Sequence, residues 1–390
     1  VTRARHAFAG QPRRDQVRDT GAGRRRPSWR LIWLVPAAVA LLIGLDAGLL
    51  LLGLPAPVDA ARLPDVHGML LTLGFVGTLI SLERATALAR WYGYLAPALL
   101  GLGGLLLVAA PVPLIVAKGV LVAGAAAFAL VYIPLWRRQH DAPLLTQLLA
   151  AVLALAGAIL WLNQDTMYRI VPWLFGFIIL TIAAERVELA RITMGPRAGG
   201  RLLALAWAMT GALVVGVALP DAGAVLLGLS ILSLTVWLLV HDVARRTIRA
   251  DGSARYMAAC ILAGYVWLAV AGAILLFGHL APGAAYDAAV HAVFLGYTFS
   301  MIMAHATTIL PAVLHIALPY RAAFWIPAAL LQAGLVIRLW PGDGVGSELA
   351  LRVGGVIGVV ALVLFMLTAL TSAILGPPRA PAKATTGEAE

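Results

Sequence analysis

The sequence predicts an all-α polytopic membrane protein of twelve transmembrane helices, and three observations carry that prediction. Hydrophobic residues make up 62% of the chain and charged residues only 12%, with a mean hydropathy of +0.92. A soluble domain needs about 25% charge to solvate its surface. Apolar runs long enough to cross about 30 Å of hydrocarbon recur along the chain. The basic residues behind the net charge of +11 fall between these runs rather than on one sustained face. That distribution is a topological signal and not a nucleic-acid surface, so the bilayer is the expected partner and nucleic acid is not.

Taken in order, residues 1–30 carry nine arginines and few large apolar side chains, which predicts a disordered cytoplasmic tail. The first span, 31–54, exceeds the core of a cleavable signal, about 7–15 residues. Further spans are expected at 66–84, 92–110, 113–135, 142–162, 170–187, 201–219, 223–240, 255–277, 287–314, 322–339 and 349–374. Turn signals at Pro111, Pro113, Pro220 and a Pro341-Gly342-Asp343-Gly344 loop set their limits. With the amino terminus inside, the clusters at 83–90, 136–141, 185–201, 241–255 and Leu318 to Arg321 all fall on the inner side, while the outer loops hold little besides Arg62 and Arg169. A miscounted helix would flip every later loop, so the charge pattern supports twelve spans with both termini cytoplasmic. The membrane domain is then 31–375, followed by a tail at 376–390. The single Cys260 lies in an apolar run, leaving neither a disulfide framework nor a thiolate cluster.

The tenth span, Asp287 to Leu314, carries His291 and His305. Their fourteen-residue separation is about 21 Å along a helix and about 40° around it. Within it, Leu295-Gly296-Tyr297 stands nine residues ahead of His305. Leu73-Gly74-Phe75 stands nine ahead of Glu83, and Phe175-Gly176-Phe177 nine ahead of Glu185. These copies sit on spans 2, 6 and 10, predicting three four-helix units, about 31–135, 142–240 and 255–375, arranged with pseudo-threefold symmetry.

Among the eight histidines, His6, His140 and His241 fall in basic segments, and His279 and His315 at span ends, where a polar side chain needs no special role. His67, His291 and His305 lie within or at the lip of apolar runs, where ionisable groups are costly and face a cavity or a bound group. His67 and His291 share one depth at the outer end. They could snorkel there, or present imidazoles to one haem or metal, with Gly68, Gly74, Gly77 and Gly296 letting a flat macrocycle approach the backbone. Arg338 and Arg352 flank the outer loop between spans 11 and 12, placed either for haem propionates or for lipid headgroups. Glu83, Glu185 and His305 occupy matched inner positions and could converge as a metal or proton site. Arg84 and Arg186 follow the two carboxylates and would explain them as ion pairs, whereas His305 has no charged sequence neighbour. Asp46 is an isolated acid on the first span. The aromatic residues at span ends, such as Trp91, Trp136 and Trp340, form an interfacial belt.

His67-Gly68-Met69-Leu70 resembles the His-x-Met-Leu of the NnrS family, and His291-Ala292-Val293 with Gly296 and Met301 resembles its later His-Ala-x-x-x-Gly-x-x-x-x-Met helix. The three-by-four plan is similar to subunit I of haem-copper oxidases. The resemblance implies a bacterial cytoplasmic-membrane protein with haem, of b type, held by His67 and His291, with His305 as a second metal or proton site. It implies a role in nitric oxide response or electron transfer, with an electron donor or another membrane protein as partner. Asp65 stands where the NnrS motif has a further histidine, and spans 6 and 7 contain none. An oxidase-type copper site therefore cannot be assembled, although the resemblance also implies copper. The reading from a different class is a transporter or channel with a polar path through Asp46, Glu83, Glu185 and His305.

Overall fold

A computed structural model describes residues 29–58, 60–163, 166–277 and 282–377. Residues 1–28, with His6, residues 378–390 and also His279 lie outside the described residues. Among the described residues there are twelve helices long and apolar enough to cross a membrane: α1 (Arg30–Leu51), α2 (Leu63–Leu88), α3 (Trp91–Val108), α4 (Leu114–Gln139), α5 (Ala142–Asn163), α6 (Met167–Leu189), α7 (Ala198–Ala218), α8 (Pro220–His241), α9 (Gly252–Phe277), α10 (Ala284–Leu314), α11 (Ala322–Gly344) and α12 (Glu348–Leu375). The count agrees with the sequence expectation, and most helix ends fall within three residues of it.

One boundary differs in kind. Pro341-Gly342-Asp343-Gly344, expected as a loop, continues α11 in wide turns over Arg338–Gly344. Proline lacks the amide that a helical turn uses, so Pro341 leaves one bond of the ladder unmade. Gly342 also lets this segment pack on the backbone of Leu351, which lies 3.1 Å from where a side chain would begin.

The same wide π-type geometry recurs in α2 over Leu70–Gly77 and in α10 over Ala292–Phe299. Each stretch is eight residues long with its Leu-Gly-aromatic copy at the same place, Gly74 and Gly296 fifth in line. Hydroxyls take up carbonyls there, Thr78 donating to Gly74 at 2.7 Å and Thr298 to Val293 at 2.9 Å. The third copy, at Gly176, lies in regular α-helix. Such insertions are costly and tend to mark functional stretches of a helix.

Helices α2, α6 and α10 form the interior. Within the apolar stretch of each, 72%, 83% and 61% of residues are buried, against 28–56% for the other nine, which form the outside of the bundle. The three touch one another: Phe75 stacks on Phe299 at 5.8 Å, and Phe175 lies 5.3 Å from Phe294. Arg84 on α2 reaches Glu188 on α6 at 3.3 Å. Around them α3 packs on α4, α7 on α8 and α11 on α12, while α4 meets α5, α8 meets α9 and α12 meets α1.

Close helix approach is set by glycine. Gly74 and Gly104 bring α2 and α3 backbone to backbone, and a side chain at Gly104 would begin 3.0 Å from the Gly74 Cα. We expect Gly104→Leu to force these helices apart at a cost of about 1–3 kcal/mol. The check is a lowered thermal unfolding midpoint in detergent, with an exposed control such as Gly211→Leu unchanged.

Candidate functional site

The polar side chains of the interior gather at two levels. Far from the basic clusters, at one end of the interior, α2 supplies His67 and α10 supplies His291 and Asp287. His67 Nδ1 donates to the Gly44 carbonyl of α1 at 2.8 Å, fixing the ring against that helix. His291 Nδ1 lies 2.8 Å from the Asp287 carbonyl and 3.3 Å from its carboxylate. Asp287 is held in turn by Arg338 at 2.7 Å. With Nδ1 as the donor, the lone pair of each ring resides on Nε2, and neither Nε2 has a hydrogen-bond partner among the described residues. A neutral imidazole oriented through Nδ1 by a carbonyl or carboxylate is the arrangement that metal-ligating histidines adopt.

The donor atoms therefore suit a haem iron, but the glycines expected to line the macrocycle do not. A side chain at Gly296 would begin 2.5 Å from Trp267, at Gly74 3.1 Å from Gly104, at Gly68 3.3 Å from Met167, and at Gly77 3.4 Å from the Thr72 carbonyl. These glycines serve packing within the protein and provide no cofactor wall. Arg338 is only 7% exposed and is engaged by Asp287, so a propionate would have to share it. Arg352 lies half exposed, 3.6 Å from Glu348 one turn away.

At the basic end, two guanidiniums organise the interior. Arg84 contacts Glu83 at 2.5 Å, Gln147 at 3.2 Å and Glu188 at 3.3 Å, with Glu185 at 3.9 Å. Arg186 binds Asp242 through both carboxylate oxygens, at 2.8 and 2.9 Å, and points its remaining nitrogen at His305 Nε2, 2.9 Å away. Tyr265 and the Ala244 amide complete the shell of Asp242 at 2.6 and 2.8 Å. His305 Nδ1 lies 2.8 Å from the Met301 carbonyl, so both of its nitrogens have protein partners. The sequence leaves His305 without a charged neighbour; the fold puts Arg186 against it from another helix.

Glu83, Glu185 and His305 do converge, as the walls of one cavity of about 300 Å³ between α1, α2, α6, α10 and α12. Among the described residues no three His, Cys, Asp or Glu side chains gather closely enough to hold a metal ion. Asp46 is occupied separately, accepting from the Val58 amide at 3.3 Å. His140 and His241 rest beside Trp136 and Trp237, and His315 lies 2.8 Å from Arg30. The sequence reading missed Asp242 and Tyr265, 56 residues and more from Arg186. The Asp287 and His291 pairing was visible as an i, i+4 spacing.

Burial alone would raise the Asp242 carboxyl, but Arg186, Tyr265 and the Ala244 amide together hold it below the usual carboxylate range. A depressed carboxylate contributes stability above its unfolded value, near pH 4, and loses it as pH falls through the lower folded value. Asp242→Asn should cost about 3–5 kcal/mol at neutral pH, because it strands a buried guanidinium. The gap in unfolding midpoint between Asp242→Asn and wild type should narrow as pH is lowered below about 4.

A family model for a domain of unknown function, DUF8744, matches residues 30–374. No curated protein matches the chain.

Proposed function

We propose, from the premise that this chain belongs to the DUF8744 family, that it is an integral membrane haem protein of NnrS or haem-copper-oxidase-like type. Its haem, of b type, would be held by His67 and His291. One observation carries the reading: two imidazoles at one end of different interior helices, each tied through Nδ1, each with no partner on Nε2 among the described residues. Iron held by two imidazoles would supply one-electron transfer, with nitric oxide response or electron delivery as the role. The protein's own part is orientation. The Gly44 carbonyl fixes the His67 ring against α1, while Arg338 anchors Asp287 and Asp287 braces His291. Arg338 and Arg352 are the cations near the same end for propionates. His305, with Arg186 on its Nε2, fits a proton-linked position better than a metal ligand.

Three four-helix units in pseudo-threefold array belong to this proposal. The reading is supported by the interior position of α2, α6 and α10 and by the recurring neighbours around them. The alternation of basic segments supports both termini at the cytoplasmic face of a bacterial inner membrane.

Protein made with adequate haem should show a Soret band. His67→Ala and His291→Ala should each abolish or strongly shift it, while Asp287→Asn shifts it with haem retained. Absence of the band from folded wild-type protein overturns the haem reading. Solute flux in proteoliposomes that persists in both alanine variants would instead favour the polar-path transporter.

A further inference from the structure

The two arginines at the basic end follow one rule. Arg84 stands ten residues after Gly74 and reaches across to α6, where Glu185 stands nine after Gly176. Arg186 stands ten after Gly176 and reaches across to α10, where His305 stands nine after Gly296. In each case the plus-ten guanidinium of one repeat touches the plus-nine side chain of the next. Continued once more, the rule would place a guanidinium at position 306 to meet Glu83 on α2. Position 306 is alanine.

The place where that side chain would go is open. Ala306 and Glu83 both line the cavity of about 300 Å³, a size in the range of small-molecule sites, about 300–1,000 Å³. Its remaining walls are mostly apolar, contributed by α1, α2, α10 and α12 through residues such as Leu41, Phe75, Ile309 and Phe365. The polar side is rich in acceptors. Arg84 faces Glu83, Glu185 and Glu188. Glu185 Oε1 is buried with no hydrogen-bond partner among the described residues, and the Arg84 guanidinium lies 3.9 Å away. Away from water such an oxygen calls for a donor.

We propose that this cavity is a binding site for a membrane-soluble monocation, an apolar body with a hydrogen-bond-donating cationic head, which occupies the position where the two sister interfaces carry arginine. The head is recognised by Glu83 and Glu185 in place of a guanidinium at 306, and the body lies among the apolar side chains of α1, α10 and α12. The inference rests on the register of the three repeats and is independent of haem.

The test is equilibrium binding of radiolabelled decylguanidinium to the full chain in phosphatidylcholine nanodiscs, with 1-decanol as the uncharged competitor. Wild type should bind at one saturable site, with decanol at least tenfold weaker as a competitor. Ala306→Arg, which supplies the guanidinium internally, should remove the saturable component, and Glu185→Gln should weaken it several-fold. Ala306→Phe fills the same space without charge and should also block binding, which covers the case that Ala306→Arg does not fold. Absence of saturable binding to wild type, equal competition by decanol, or wild-type affinity in a folded Ala306→Arg or Ala306→Phe protein overturns the proposal. None of these outcomes bears on the Soret band, so failure here and failure of the haem reading are separable.

Discussion

The bidentate contact between Arg186 and Asp242 is the joint on which the rest of the basic end depends. A guanidinium 4% exposed in an apolar bundle has no water to solvate it, so its five donors must find acceptors on neighbouring helices. Asp242, just past α8, takes two of them, and His305 on α10 takes a third. Satisfying one charge thereby ties α6, α10 and the end of α8 together. Arg84 does the same between α2, α5 and α6. The apolar side chains above these contacts have little preference between protein and lipid, because lipid tails are as apolar as leucine. The polar pairs, together with glycine contacts such as Gly74 against Gly104, are what specify which helix lies beside which.

That constraint also explains which parts of the chain were legible in its sequence. The twelve spans were legible because hydrophobic length and loop charge are additive along the chain and need no partner. That His67 and His291 lie toward one end of the bundle was legible from their places in the spans. Their surroundings were not: the Gly44 carbonyl that orients His67 lies 23 residues away, and Arg338 lies 51 residues from the Asp287 it anchors. The glycines were read for the wrong purpose, since a gap left by a missing side chain looks the same in sequence whether a cofactor or a tryptophan fills it. In Gly296 it is Trp267. Composition likewise made Pro341 to Gly344 look like a loop, because wide helical turns have no distinct residue signature.

The π-type stretches of α2 and α10 mark where the interior departs from uniform packing. Both follow within a few residues of the far-end histidines, and both hold the Gly-aromatic copy, while α6 at the matching place is regular. A wide turn changes the angular relation between residues on either side of it. It therefore lets one helix aim a side chain at the far end and another at the basic end without obeying the fixed 100° step. In α10 this separates His291, which lies against Asp287, from His305, which faces Arg186 on α6.

Those two histidines differ in the nitrogen that a ligand role would use. Both place Nδ1 2.8 Å from the carbonyl four residues earlier, and His241 does the same against Trp237. That bond is a property of histidine on a helix and distinguishes nothing by itself. What differs is the other nitrogen: Arg186 occupies Nε2 of His305, whereas Nε2 of His291 has no protein partner among the described residues. His67 goes further, because its Nδ1 is fixed by a carbonyl from a different helix, so its orientation is imposed by the fold and not by its own backbone. A ligand role thus rests on the pairing of one imidazole set by the bundle with a second braced by Asp287 and Arg338, and not on the presence of intramembrane histidine as such.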